Sequence, residues 1–397
     1  MKKTIIRLII LVLFVFITIS TLGCGDETEV INDGSTDGIT KVCLIINGNL
    51  GDKSFFDSAN EGIKMINNSH PEIVTTVKEI GQNTSNWESS LREVCESGEK
   101  YDLIIVGTDQ MREKLQRIAP LYPGKKFIIF DADINKEAKG KTFNNVYSIK
   151  YMQNEGSFLA GVLAASWLQQ LQPTQGVKKA GFVGGLKSDI IKDFAVGYYQ
   201  GIQYINSLSG YIKTETYSSY VGGFTDSTTG KAQALSQYNN GAEIIFQAAS
   251  QSGLGCIDAA SELYKTKAIK KYIIGVDSDQ YHYFSTGDTA DLDKARRIVT
   301  SVLKRVDLSL FNAILEFQAN TLEFGKVVEM GLNTIIDGQS VIGLAKNDYY
   351  LQIVPQEIRE LIDEIELKII NGEITVDSTY DLTLAEFNAI EDDVKVK

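Results

Sequence analysis

The sequence predicts an α/β protein of two Rossmann-like lobes, each built on a parallel sheet covered on both faces. Three observations carry that reading. Short runs rich in Ile and Val alternate with amphipathic segments, the alternation restarts near residue 179, and 397 residues exceed what one simple core holds.

In the first series, "KVCLIIN" (41–47), "DLIIVG" (102–107), "KFIIFDAD" (126–133) and "NVYSIKY" (145–151) read as strands, with helices over 54–67 and 110–120. In the second, "KAGFVGG" (179–185), "YIKTETYS" (211–218), "AEIIFQAAS" (242–250) and "KYIIGVDSD" (271–279) are strands. Helices over 189–206, 230–239 and 255–265 separate them. "RIVTSVLK" (297–304) reads as a strand leading back to the first lobe, followed by a helix through "LSLFNAILEFQAN" and a return through "VVEMGL". The N-terminal lobe is then 41–149 plus about 299–325, and the C-terminal lobe 150–298 plus about 326–377. Residues 378–397 remain as a polar, acidic tail to which no role is given. Repeated crossings make a hinge, and open α/β sheets bind ligands beyond the carboxyl ends of their strands. Two such edges facing each other form a cleft that closes on a small molecule.

The opening "MKKTIIRLIILVLFVFITISTLGCGDETEV" reads as a secretory signal over 1–23. Its apolar run, Leu8 to Ile19, is shorter than the ~20 residues a membrane span needs. "TLGC" resembles the bacterial lipoprotein box, with Thr21 where Leu is usual. That resemblance implies lipidation of Cys24 and a protein held on the extracytoplasmic face of a cell membrane; cleavage and release is the alternative. Residues 24–40, acidic and rich in Gly, Ser and Thr, form a solvated tether.

Net charge is −12, and removing residues 1–23, with three cations and no acid, takes it to −15. So acidic a chain lacks the basic patches that nucleic acid requires. His70 and His282 are the only histidines and there is no CxxC, which argues against a zinc site or a His-based nucleophile. No cofactor, metal or catalytic residue is expected. Cys43, Cys95 and Cys256, odd in number and widely spaced, do not read as a disulfide framework.

"GNLGDKSFFDSANEGI" (48–63) places two phenylalanines where a strand turns into a helix. From a start near Ser54, Phe56, Ala59, Ile63 and Ile66 form one apolar face, which makes Phe56 a core residue. Phe55 shares its face with Ser58 and Gly62, has no apolar companion, and points into the cleft as a stacking surface, a place under the neighbouring loop being its alternative. Phe224, in the Gly-rich "YVGGFTDSTTGKA", is a candidate second ring from the opposite lobe. Asp131 and Asp277 close strands in equivalent places of the two lobes, where a carboxylate accepts hydrogen bonds from hydroxyls or a base N–H. Capping of the next helix is their alternative role. Gly253 marks a backbone close approach, and Lys304 sits at the proposed crossover, facing a ligand oxygen or a partner carboxylate, or else solvent.

These motifs, with "NEGSFLAGVLAA" and "IIGVDSDQ", occur in an order that resembles the basic membrane protein family of substrate-binding lipoproteins, also called the purine nucleoside receptor A family. The resemblance covers 41–375. It implies a two-lobed type I periplasmic-binding-protein fold that delivers purine nucleosides to the permease subunits of an ABC importer. Asp52, Lys53 and Phe55 match the family's Asp-Lys-x-Phe-Asn motif. Asn47 stands at or near a family Asp, and Phe56 replaces the family Asn. By the same alignment Phe224 is the second stacking ring, Asp277 and Lys304 hold ribose hydroxyls, and Gly253 and Asp131 are further contacts. Asn47 exchanges a pure acceptor for a donor and acceptor, and Phe56 removes a polar contact. Sugar or other small-solute binding on the same fold, and a surface sensor or adhesin, stay open.

Overall fold

The computed structural model describes residues 39–174 and 176–397. The signal segment, Cys24 and nearly all of the tether lie outside the described residues. No described helix is long and apolar enough to cross a membrane.

Five strands come first: β1 Thr40–Ile46, β2 Ile73–Glu79, β3 Leu103–Gly107, β4 Lys126–Phe130 and β5 Val146–Tyr151. Five more follow: β6 Lys178–Gly184, β7 Thr214–Tyr220, β8 Ile244–Ala248, β9 Tyr272–Asp277 and β10 Ile298–Lys304. Then come β11 Val327–Met330, a short hairpin of β12 Ile335–Ile336 and β13 Gln339–Ser340, and β14 Ile342–Leu344. The helices of the first half are α1 Phe55–Ser69, α2 Trp87–Glu96, α3 Asp109–Ile118, α4 Gln153–Leu171, α5 Asp189–Ser207 and α6 Ser227–Asn239. The remainder are α7 Gln251–Lys267, α8 Gln280–Ser285, α9 Thr289–Ala295, α10 Val306–Gln318, α11 Asp348–Ile353, α12 Gln356–Ile370 and α13 Leu384–Val394.

Two six-stranded sheets run β11-β5-β4-β3-β1-β2 and β14-β10-β9-β8-β6-β7. The second repeats the first position for position, except that β11 lies parallel to β5 whereas β14 runs antiparallel to β10. Alternation along the strands explains why both faces are covered. In β1, Val42, Leu44 and Ile46 enter one core and Cys43 and Ile45 another. Helix α4 is buried almost all round, between α5, α12 and the second sheet. It meets α5 backbone to backbone: a Cβ on Gly161 would lie 2.2 Å from the Tyr198 carbonyl oxygen.

The chain changes lobes after β5, after β10 and between β11 and β14. This corrects the expected boundaries. Residues 298–304 belong to the second sheet, and the crossing follows Lys304. Helix α10 then packs on α1, and 327–330 stay in the first sheet beside β5. A continuous apolar strand identifies a sheet interior but not which sheet.

The tail is also corrected. Helix α13 opens with a capping box in which Thr383 accepts from the Glu386 N–H and the Glu386 carboxylate accepts from the Thr383 N–H. It buries Phe387 and Val394 against α5 and β7. The chain end pairs with the edge of β7 through a bridge between Thr216 and Lys395, which covers an otherwise open strand edge.

Candidate functional site

The carboxyl ends of both sheets face one cavity of about 140 Å³. Its walls include Asn47, Phe55, Phe56, Asp131, Phe224, Asp277 and Lys304, seven of the eight expected ligand contacts. Four strand ends reach it in strained backbone. Thr108 after β3 and Asp131 after β4 have φ of 72° and 61°; their counterparts Ser250 after β8 and Asp277 in β9 have 49° and 63°. Non-glycine residues in this left-handed region are uncommon and cluster where side chains must be aimed at a site. The same device thus occurs at matching positions of both lobes.

Lys304 is the centre of the site. It is 1% exposed, so the solvent-facing alternative does not apply. It comes from the second sheet, yet its Nζ donates to Asp131 Oδ1 of the first lobe at 3.0 Å and lies 3.8 Å from Asp277 Oδ1. Aromatic rings close round the ammonium: Phe55 at 5.0 Å, Phe194 at 5.0 Å and Tyr151 at 5.6 Å from their centroids. Buried charge is tolerated only with such pairing. Burial also pushes the Asp277 carboxyl up, with Lys304 and the Ser54 hydroxyl acting against it. Asp277 Oδ2 accepts from Ser54 Oγ at 2.7 Å, while Oδ1 has no hydrogen-bond partner. Asn47 is in a similar condition: Nδ2 donates to Thr108 Oγ1 at 2.9 Å and Oδ1 is unpaired and buried. Two residues of the cavity wall therefore each keep a buried acceptor atom without a hydrogen-bond partner.

The phenylalanines divide their work differently from the helical-face expectation. Phe55, not Phe56, lies on the buried stripe of α1, with Ser58, Ala59, Gly62, Ile63 and Ile66. Its ring stacks on Phe130 at 5.4 Å and meets Phe56 edge-on at 5.3 Å. Phe56 is half-buried and lines the cavity beside Gly48. The small residues that left Phe55 without companions are a close helix crossing: a Cβ on Gly62 would come within 2.6 Å of the Asp307 carbonyl oxygen of α10. Both rings reach the cavity, Phe55 from the core side.

Gly253 is not a cavity wall. It is buried in the first turn of α7, where a Cβ would fall 1.7 Å from Gln247 Oε1, and that side chain is the reason for the glycine. Lys53 also turns away, its Nζ 4.9 Å above the Phe284 ring.

Sequence reasoning left part of the site without a role, Asp52 being noted only as a motif match and Asp189 and Phe194 not singled out. Asp52 accepts from the Ser54, Phe56 and Asp57 N–H groups and, across the cleft, from Ser250 Oγ at 2.9 Å. Burial raises its carboxyl to about 6 despite those donors. Asp189 at the start of α5 pairs with Lys192 at 2.8 Å and with Lys136 of the first lobe at 2.9 Å, and these two ammonium groups hold it down at about 2. Its place beyond a strand, in the first turn of a helix, was a usable signal. Phe194 carried none, since a buried ring on an amphipathic helix reads as core.

Residues 39–379 match the family model described as ABC transporter substrate-binding protein PnrA-like. Basic membrane protein A of Borreliella afzelii is 30% identical over 358 residues, covering 89% of this chain and 97% of that one. Basic membrane protein A2 of Borrelia garinii subsp. bavariensis is 31% identical, covering 92% and 95%. Among solved structures, an ABC transporter solute-binding protein of Aeropyrum pernix superposes with a TM-score of 0.74 at 23% identity, covering 90% of this chain and all of that one, a likeness of fold. Two repeated lobes closing on one polar-aromatic cavity, and a family match across nearly all of the folded chain, lead to one conclusion: the protein belongs to the PnrA-like family of ABC transporter substrate-binding proteins.

Proposed function

We propose that this protein is the lipid-anchored binding component of an ABC importer and that it closes its lobes on a purine nucleoside. The observation that carries the reading is the Lys304 ammonium, buried between Asp131 and Asp277 and boxed by aromatic rings at the wall of the cavity. Phe55, Phe56 and Phe224 offer flat apolar surface to a heterocycle. Asp277 Oδ1 and Lys304 offer an acceptor and a donor to neighbouring sugar hydroxyls, and Asn47 Oδ1 takes an N–H from the base. No bond is made or broken. Contacts to both lobes favour the closed form, which the permease subunits recognise. Cys24 carries the lipid and keeps the binding body on the extracytoplasmic face of the membrane.

Calorimetric titration of purified residues 25–397, stripped of co-purified ligand by unfolding and refolding, tests this with adenosine, guanosine, inosine, uridine and ribose. The expected result is tight binding of purine nucleosides and little heat from ribose. Ribose binding as tightly would move the protein to the sugar-binding members of the fold. Silence from every ligand, with refolding verified by circular dichroism, would remove the nucleoside reading. Loss of membrane partitioning in Cys24→Ala tests the anchor.

A further inference from the structure

Helix α13 lies beyond residue 379, where the family match ends, yet it reaches the underside of a cavity wall. The loop between β6 and α5 carries Leu186 and Ser188, and α5 opens on Asp189; all three line the cavity. Between them, Lys187 points the other way. Its Nζ lies 3.6 Å from Glu391 Oε2 and over the rings of Tyr220 at 5.1 Å and Phe387 at 5.5 Å. Lys192, which pairs with Asp189 at 2.8 Å, also lies over the Phe387 ring at 5.9 Å. Glu391 accepts in addition from Tyr199 of α5 at 3.4 Å. The Phe387 ring is 1% exposed, so the seat is packed rather than a loose surface contact. The chain just before α13 is tied to the same region: Ser378 Oγ and the Thr379 N–H both donate to Asp193 Oδ1 of α5 at 2.8 Å.

We infer that α13 positions the 185–189 loop for ligand binding, with Phe387 and Glu391 acting through Lys187 and Lys192 on Asp189. This rests on the reading of the cavity as the ligand site. The ion pair is half-exposed on its Lys187 side and contributes little, so the buried ring is the main element and the largely buried Glu391 the orienting one. Asp189 then stands where it meets Lys136 of the opposite lobe, which makes α13 a partner in closure although it touches no ligand.

Amide hydrogen exchange on unliganded full-length protein and on F387A, F387L and E391Q tests the inference without any ligand. Protection at 185–192 should fall roughly tenfold in F387A, less in E391Q, and recover in F387L, while β8 and β9 keep theirs. Inosine titration of the same variants should show weaker affinity in the same order. Faster exchange confined to α13, with 185–189 unchanged, would overturn the inference, and E391Q decides the point should F387A fail to fold. If wild-type protein takes no inosine, the nucleoside reading fails while the exchange result still stands or falls by itself.

Discussion

The two rims of the cleft are built on one plan and used unequally. Strand order is the same in both sheets, and β4 and β9 each end at an aspartate in left-handed backbone. Beyond that the rims diverge. The first lobe contributes the ring stack of Phe130, Phe55 and Phe56 together with Asp131, whose carboxylate is taken up by Lys304. The second contributes the cation itself and Asp277, which keeps one oxygen without a hydrogen-bond partner. The lesson is that duplication supplied position and an aspartate to each rim, while the cation was placed on one side only. Among the described residues the first lobe holds no cation for its buried Asp131, so that carboxylate finds its ion-pair partner only when the rims meet.

The largest consequence concerns Lys304. Lys304→Met keeps the stem but leaves Asp131 and Asp277 buried without a cation, and breaking a buried pair in this way costs on the order of 3–5 kcal/mol. Thermal unfolding should show that loss, and calorimetry should show affinity for the proposed nucleoside falling by at least ~100-fold. A variant as stable as the parent would mean that the two carboxylates are neutral in the folded protein, and the asymmetry of the rims would lose its electrostatic basis.

Next comes pH. Burial lifts the carboxyls of Asp52 on the first lobe and Asp193 inside the second from 3.8 to about 6. Between pH 4 and 6 the folded protein therefore holds protons that the unfolded chain has released. Stability is favoured at the acid end and falls as pH rises through that window, by up to about 3 kcal/mol per carboxyl, then levels off. Melting temperatures across pH 4–7 should show a smaller fall in Asp193→Asn than in the parent. Parallel curves would mean that the Ser378 and Thr379 donors already offset the burial.

A smaller effect separates the two strand-end aspartates. Asp277→Asn should weaken binding of the proposed nucleoside roughly 10–100-fold with little change in melting temperature, because Asp277 lines the cavity and one of its oxygens has no hydrogen-bond partner. Asp131→Asn should do the reverse, lowering stability through the lost Lys304 partner more than it lowers affinity. Paired calorimetry and thermal unfolding decide, and identical profiles would make the rims functionally equivalent.

How far this was legible beforehand depends on which physical signal each residue left. Fully buried strands announce themselves as apolar runs, and the two series of them were readable. Strand β2, "IVTTVKE", was not, because an edge strand buries little beyond Ile73 and keeps a polar sequence. Asp131, Asp277 and Lys304 were legible as residues of the cavity because each stands at the end of an apolar strand, although capping and solvent exposure were equally open from the sequence. Phe55 and Phe56 were both assigned to the site region, but their faces were exchanged, since Ser58 and Gly62 look like a solvent side and are the contact with α10. The seat of α13 was legible in principle, from Thr383 and Glu386 as a capping box and Phe387, Ile390 and Val394 as a stripe. Its acidic composition masked it. What no sequence pattern carries is contact across the cleft, because the partners lie from about fifty to more than two hundred positions apart.

The smallest predicted effect tests that contact most directly. Ser54 of the first lobe donates to Asp277 of the second at 2.7 Å, and Ser250 of the second donates to Asp52 of the first at 2.9 Å. Each lobe thus lends a hydroxyl to the other's buried carboxylate. Removing one such bond costs about 1 kcal/mol net, somewhat more where the carboxylate is charged and left short of a donor. Ser54 is wholly buried and Ser250 half-buried, so Ser54→Ala should open the unliganded protein further than Ser250→Ala. Small-angle scattering would show this as a larger radius of gyration, with the proposed nucleoside ligand restoring the parent value in both. The restoration follows from linkage, since a ligand touching both rims adds to closure what the missing hydroxyl took from it. An unchanged radius in both variants would mean that Lys304, reaching Asp131 from the other lobe, is enough to hold the rims together, and the reciprocal hydroxyl bonds would be a result of closure rather than a cause of it.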